Sequence, residues 1–317
     1  MKTVEQFRHP FFVVNPHSAN GSTWRDWPAI AELARQNLPN MSVGFTSEPY
    51  DAPEITREAL RKGADLIVSV GGDGTLNEVV NGFFEDGAPV NPEAVLGVLS
   101  RGTGGDFRRT LGLARCIGKD IPTAVKSLSA CRQSPCDVGL LTYTDERGRT
   151  QQRYFINITS FGIGGEVDFE VNRASKALGG KASFLLGSVR ASLRYRNRDV
   201  RVVLDGREIY NGAAYNIAVC NGRYFGGGMM IAPDAQIDDG LFDVVVCGDF
   251  HFGDALKLGR TVYSGTHLKH PKITVFRGKR VEAYSDERVL LDVDGEQPGR
   301  LNAEFDILPS AIQVLRL

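Results

Sequence analysis

Apolar residues in the first part of the chain fall into short runs separated by amphipathic stretches. Phe11-Phe12-Val13-Val14, Met41 to Phe45, Leu66-Ile67-Val68-Ser69-Val70 and Val95-Leu96-Gly97-Val98-Leu99 each read as a strand. The last two are nearly continuous in β-branched and aliphatic residues, as expected of parallel strands covered on both faces. Between the runs, about Trp24 to Asn37 and Ala52 to Lys62 predict helices, the second stopped by Gly63. Leu76, Val79, Val80 and Phe83 recur at helical spacing and predict another. Strands alternating with helices over short connections, through about residue 130, are the pattern of a parallel sheet.

After Pro135 the pattern changes. Asp137 to Tyr143 and Gln151 to Thr159 flank a polar turn and predict a hairpin. Lys181 to Arg194 reads as helical. Short strands then dominate: Asp199 to Leu204, Ala214 to Cys220, Leu241 to Cys247, Lys272 to Phe276, Arg280 to Ala283 and Val289 to Val293. A helix over Phe252 to Tyr263 interrupts them. This half predicts an antiparallel sandwich or barrel.

The stretch that organises the chain is Val70-Gly71-Gly72-Asp73-Gly74-Thr75-Leu76-Asn77-Glu78-Val79-Val80-Asn81-Gly82. Its glycines lie between the carboxyl end of a strand and the start of a helix, where open α/β sheets bind ligands. Glycine lets backbone approach a ligand closely, and the helix start offers N–H groups and a positive dipole end to phosphate. Asp73 suits such a site if a metal bridges it to the anion, or if it orients a donor. No Gly-Lys-Ser/Thr follows, so this is not a P-loop. Asn15, Thr46, Gly71 to Thr75 and Thr103 follow four strands of the parallel sheet and should line one edge.

Composition narrows the function classes. The chain has 317 residues and a formal net charge of −1, so no basic field argues for nucleic acid. Its five cysteines include no Cys-x-x-Cys pair and read as reduced thiols. The five histidines are scattered, and no zinc site is expected. There is neither a signal-peptide pattern nor a run of about 18 to 20 apolar residues. Arg190, Arg194, Arg196, Arg198 and Arg201 form a local basic run, read as a solvated face or as a contact for anionic headgroups. Trp24 and Trp27 read as core or interface residues. Gly162-Ile163-Gly164-Gly165 and Gly226-Gly227-Gly228 read as tight turns and close backbone packing, or as the rim of a cleft.

Gly-Gly-Asp-Gly-Thr-Leu-Asn-Glu-Val-Val-Asn-Gly resembles the signature of the diacylglycerol-kinase catalytic-domain family, which includes bacterial lipid kinases and sphingosine kinases and is related to NAD kinases. The resemblance covers essentially the whole chain. It implies a three-layer α/β nucleotide-binding domain with a mainly parallel sheet over residues 1–136, rejoined by a returning segment at about 305–317. An antiparallel β-sandwich-like lipid-substrate domain would cover residues 137–304. It further implies transfer of the ATP γ-phosphate, with Mg²⁺, to a lipid hydroxyl in an interdomain cleft.

Residue by residue, the resemblance gives nucleotide contacts at Asn15, Thr46, Gly71, Gly72, Asp73, Gly74, Thr75, Leu76, Asn77 and Thr103. Asp73 and Asp106 would stand near metal and phosphate. Asp106 also reads as the N-cap of a helix starting at Phe107. Gln236, Asp239 and Leu241 would hold a metal, largely through main-chain oxygens. Asp294 would be the general base, positioned by Glu296; by strand period Asp292 and Asp294 share a face. Residues alone read Asp239-Gly240 and Asp294-Gly295 as turns. The family usually has asparagine where this chain has Gly105, a departure expected to loosen that loop.

Two other readings stand beside this one. One is an NAD-kinase-like enzyme with a soluble acceptor. The other is an idle lipid- or nucleotide-binding regulator, against which Asp73, Asp106, Asp239 and Asp294 speak together. The lipid-kinase reading places the protein in the cytoplasm with transient visits to a membrane surface. It leaves the acceptor lipid and the oligomeric state open, a homodimer included.

Overall fold

The computed structural model describes residues 7–102, 104–173 and 195–317. The helix expected over Lys181 to Arg194 lies outside them, as does Thr103. The chain divides into two compact units, 1–138 with 309–317, and 139–308.

The first unit alternates β1 (Pro10–Val14), α1 (Ser22–Arg35), β2 (Ser42–Phe45), α2 (Asp51–Arg61), β3 (Leu66–Gly71), α3 (Asp73–Gly82) and β4 (Val95–Ser100). Helices α4 (Asp106–Thr110) and α5 (Ile121–Ala130) follow. The sheet runs β2-β1-β3-β4, every pair parallel. Beyond β4, Gln313 and Val314 of the last strand add a further parallel pairing. Strands β3 and β4 are buried at every residue, as their continuous apolar sequence requires. Neighbouring residues of β1 show why helices lie on both faces. Phe12 meets Trp27 of α1, ring centroids 6.0 Å apart, whereas Phe11 and Gly44 face Ile55 of α2. Trp27 is therefore a core residue, and Trp24, 59% exposed, is a surface one.

The second unit begins within β5 (Arg132–Thr144), which forms a hairpin with β6 (Thr150–Phe155). Next come β7 (Ile158–Gly162), α6 (Ile163–Arg173), β8 (Arg198–Leu204), β9 (Arg207–Ala214), β10 (Asn216–Cys220) and β11 (Phe242–Cys247). Helix α7 (Phe252–Thr261) precedes β12 (Ile273–Gly278), β13 (Arg280–Tyr284), β14 (Leu291–Val293) and β15 (Arg300–Arg316). One antiparallel sheet runs β9-β8-β13-β15 and another β12-β11-β10-β7-β14. Their facing residues form one core in which Phe155 stacks on Phe242 at 5.6 Å and Phe161 on Phe305 at 6.1 Å. A second core, built from Ala218, Cys220, Val245 and Cys247 with Ile231, Phe250 and Val262, covers the other face of the five-stranded sheet. That double burial explains the unbroken Val244-Val245-Val246 run.

The structure corrects two expectations and adds one strand. The expected hairpin arm Gln151 to Thr159 is two strands, because Ile158 and Thr159 join a different sheet through β7. The Gly162 cluster opens α6 rather than a turn, and a Cβ on Gly165 would lie 2.5 Å from the Leu290 carbonyl oxygen. Strand β9 forms despite its Arg207-Glu208 start, because the Asp205-Gly206 turn folds it back onto β8. Of the basic run, Arg198 pairs with Glu287 at 2.7 Å and Arg201 stacks over the Tyr284 ring at 4.6 Å. Arg190 and Arg194 lie outside the described residues. All five cysteines are free and buried. Among the described residues no helix is long and apolar enough to cross a membrane.

Candidate active site

In the first unit the loops after β1, β3 and β4 are tied together at the carboxyl edge of the sheet. Gly71 ends β3, and a Cβ there would lie 2.5 Å from the Thr75 side chain. Only glycine lets Thr75 fold back over the turn. Gly72 caps α3 through its carbonyl, which accepts the Leu76 N–H at 3.0 Å. The first turn of α3 thus presents the kind of helix terminus that suits an anion. Gly102 meets Gly72 backbone to backbone; a Cβ on Gly102 would sit 2.8 Å from the Gly72 Cα.

Asp73 holds donors that the sequence did not name. Its Oδ2 accepts the Gly105 N–H at 2.7 Å and its Oδ1 the Asp106 N–H at 2.9 Å. It caps α4 from a distant loop, and Asp106 is the first residue of that helix rather than its cap. Burial pushes the Asp73 carboxyl up from the ordinary aspartate value, while these amides and the Arg109 charge pull against it. Asp73 is thereby an anchor between loops, in keeping with the donor-orienting role set beside the metal one. Asp106 Oδ1 accepts from Arg109 Nη1 at 2.7 Å, and Arg109 also donates to the Gly104 carbonyl at 2.5 Å.

Asn15 Nδ2 donates to Thr75 Oγ1 at 3.0 Å, linking the β1 and β3 loops. Thr46 follows β2, buried, with its N–H on the Val14 carbonyl at 3.0 Å. Leu76 and Asn77 are buried in the body of α3, and Asn77 Oδ1 accepts from Asn81. Thr103, a predicted contact, is outside the described residues.

Gly105 leaves no room for a side chain. It sits at φ +60°, and a Cβ would lie 2.6 Å from Ser100 Oγ and 2.9 Å from Arg108 Nε. Asparagine tolerates that backbone but brings the same Cβ. Gly105→Asn is therefore expected to lower stability by roughly 1–3 kcal/mol through overpacking. Denaturant unfolding measures this, and a Gly105→Asn protein as stable as the parent contradicts it.

In the second unit Val293 and Glu296 exchange hydrogen bonds across a turn in which Asp294 (φ +49°) and Gly295 (φ +91°) are both left-handed. The Asp294 carboxylate is buried and accepts N–H groups from Ile156 at 3.1 Å, Asn157 at 3.2 Å and Ile158 at 2.9 Å. The two aspartates do not share a strand face: β14 ends at Val293, and Asp292 turns to Ser160 Oγ at 3.1 Å and the Gly295 N–H at 2.9 Å. Glu296 pairs with Arg153 at 2.6 Å.

Asp239 lies in the turn before β11. Its Oδ1 accepts the Leu241 N–H at 3.0 Å, and its Oδ2 pairs with Arg277. Arg277 stands opposite Asp243 in the β11–β12 register, with Nε 3.5 Å from Asp243 Oδ2. That buried Oδ2 makes no hydrogen bond, and burial pushes the Asp243 carboxyl up. One guanidinium thus faces two carboxylates, and the surplus negative charge suits a cation. Among the described residues no three His, Cys, Asp or Glu side chains form a metal cluster, so main-chain oxygens of Gln236 and Leu241 would have to complete such a site.

This architecture defines a class of fold: an α/β unit with a mainly parallel sheet followed by an antiparallel β-sandwich-like unit. Residues 9–141 match the diacylglycerol kinase catalytic domain, and residues 157–316 match the YegS C-terminal NAD kinase beta sandwich-like domain. The chain is 30% identical over 303 residues to a diacylglycerol kinase of Bacillus subtilis (strain 168), covering 96% of this chain and 94% of that one. It is also 30% identical over 294 residues to a diacylglycerol kinase of Staphylococcus carnosus (strain TM300), covering 89% and 90%. The crystal structure of a diacylglycerol kinase from Bacillus anthracis str. Sterne shares the fold, with a TM-score of 0.75 at 23% identity over 98% of both chains. The chain belongs to the diacylglycerol kinase family, and it is a kinase enzyme.

Sequence reasoning passed over Arg101, Gly102 and Arg109. The signal available was a charged residue directly after a fully buried strand, in Val98-Leu99-Ser100-Arg101-Gly102.

Proposed function

We propose that this kinase transfers the γ-phosphate of ATP to the hydroxyl of a diacylglycerol-like lipid. The observation that carries the reading is the locked glycine turn at the α3 start, with Asp73 holding the β4 loop against it. Phosphoryl transfer needs positioning and charge neutralisation more than covalent chemistry from the protein. In this reading the amides of Gly72 to Thr75 hold phosphates, with Asn15, Thr46, Leu76, Asn77 and Thr103 around the nucleotide. Asp106 and Arg109 support the loop beneath it. Asp294, oriented by three N–H donors, accepts the proton of the acceptor hydroxyl, and Glu296 braces its turn through Arg153. The first unit serves the nucleotide and the second the lipid at a membrane surface.

Mg²⁺ with ATP would neutralise the transferring phosphates. A divalent ion would also be held by Asp239 with main-chain oxygens of Gln236 and Leu241. For that second ion, Mg²⁺ or Mn²⁺ without nucleotide is expected to raise Tm by about 2–5 °C, and Asp239→Asn to remove the rise. A thermal scan that does not respond to either ion rejects this site.

The test of the function is transfer of labelled γ-phosphate from ATP with Mg²⁺ to a panel of lipids in mixed micelles, with NAD as a soluble control. Labelled phosphatidate supports the reading and another labelled lipid redirects the acceptor. Labelled NADP replaces the acceptor class, and ATP binding without any product points to a regulator.

A further inference from the structure

We propose that Arg101 is a positioning residue for the nucleotide: it closes a ring of hydrogen bonds that fixes the loops after β1, β3 and β4. The proposal rests on the nucleotide-binding reading of those loops. Arg101 is 0% exposed, so it cannot touch a ligand, and a buried guanidinium is costly unless its donors are used. Here they are used in several directions. Nε donates to Thr23 Oγ1 at 3.2 Å, Nη2 to Ser22 Oγ at 3.2 Å and to the Asp26 carboxylate, and Nη1 to the Cys116 carbonyl.

Ser22, Thr23 and Asp26 lie in the first turns of α1, the helix entered from the β1 loop. Thr23 in turn shares a 2.6 Å hydrogen bond with Ser18 inside that loop. The main-chain N–H of Arg101 donates to the Gly71 carbonyl at 2.7 Å. One residue therefore starts the β4 loop, touches the glycine turn with its backbone, and grips the far end of the β1 loop with its side chain. Asn15 to Thr75 joins the β1 and β3 loops, and Asp73 joins the β3 and β4 loops. Arg101 supplies the third side. A planar guanidinium can satisfy these divergent acceptors together, whereas an ammonium cannot. A ring completed on folding lets ATP meet donors that are already placed, so little ordering cost falls on binding.

The experiment compares the full-length parent with Arg101→Met, Arg101→Lys and Asp26→Asn. ATP binding is read by calorimetry, kinetics with lipid micelles, and hydrogen exchange at the Gly71 to Thr75 amides. Arg101→Met should raise both Kd and KM for ATP at least tenfold, with kcat at saturating ATP within threefold of the parent. Exchange at the glycine turn should quicken. Arg101→Lys should fall between the two, and Asp26→Asn, which keeps the guanidinium, should shift Kd the same way by a smaller factor. Folded variants that bind ATP as tightly as the parent, with only Tm lowered, overturn the proposal and leave Arg101 a core brace. Should Arg101→Met not fold, unchanged Kd in Asp26→Asn and Arg101→Lys overturns it equally. A parent that binds no ATP overturns the nucleotide reading itself, and this proposal with it.

Discussion

Replacing Asp73 with asparagine should weaken ATP binding by roughly 10- to 100-fold, the loss of about one to two charge-assisted hydrogen bonds. The carboxylate presents acceptors on both oxygens, to Gly105 and to Asp106. An amide presents one acceptor and one NH₂, so one of those main-chain N–H groups would face a donor. The β4 loop then swings from the glycine turn. A Cβ at Gly104 would lie 2.6 Å from Asp73 Oδ2, so the loop closes over this carboxylate with no slack. Calorimetric ATP titration of Asp73→Asn and Asp73→Ala checks the expectation. If both bind like the parent, the aspartate is not what orders the site. Should Asp73 instead act directly on metal or phosphate, kcat would collapse while Kd moved little, a pattern the loop-anchor role does not produce.

Asp294→Asn should lower turnover by about 10²–10⁴-fold while leaving the ATP Kd within about twofold, as removal of a general base does. The structure adds a complication that makes the experiment sharper. Asp294 also stitches its turn to Ile156, Asn157 and Ile158, so the variant loses hydrogen bonds as well as a base. A drop in Tm is expected alongside the kinetic loss. The two effects separate on cooling: a purely structural role restores turnover well below the melting transition, whereas loss of the base persists there. Recovery of parental turnover in the cold would leave Asp294 as a stitch alone.

The parallel strands and the glycine turn were legible because their signals are local. Leu66 to Val70 is a run that only a strand buried on both faces accommodates, and Leu76, Val79, Val80 and Phe83 keep one helix face. What stayed hidden was the choice of partner. The loop-holding role of Asp73 stayed hidden because its donors, the Gly105 and Asp106 N–H groups, come from another strand's loop, and nothing in the spacing names them. Arg101 and Asp26 meet across a long stretch of chain. Strand β9 was missed because Arg207-Glu208 reads as polar loop until β8 is beside it. The packing at Gly105 was hidden for a different reason: an absent side chain suggests open space, yet that space is occupied by Ser100 and Arg108. Hydrophobic period gives the elements; hydrogen-bond pairing over distance gives the site.

The final strand has a consequence for how the molecule can be made. Residues Arg300 to Arg316 form one strand, assigned to the second unit up to Leu308 and to the first from Pro309. During synthesis the outer edge of β4 must therefore wait, unpaired, until Gln313 and Val314 leave the ribosome. An apolar strand edge left open that long invites pairing with a neighbouring chain. An N-terminal fragment of the first unit would lack the pairing that Gln313 and Val314 give to β4. Supplied in trans, a peptide carrying that tail should rescue such a fragment from aggregation, much as a missing stave restores a cask.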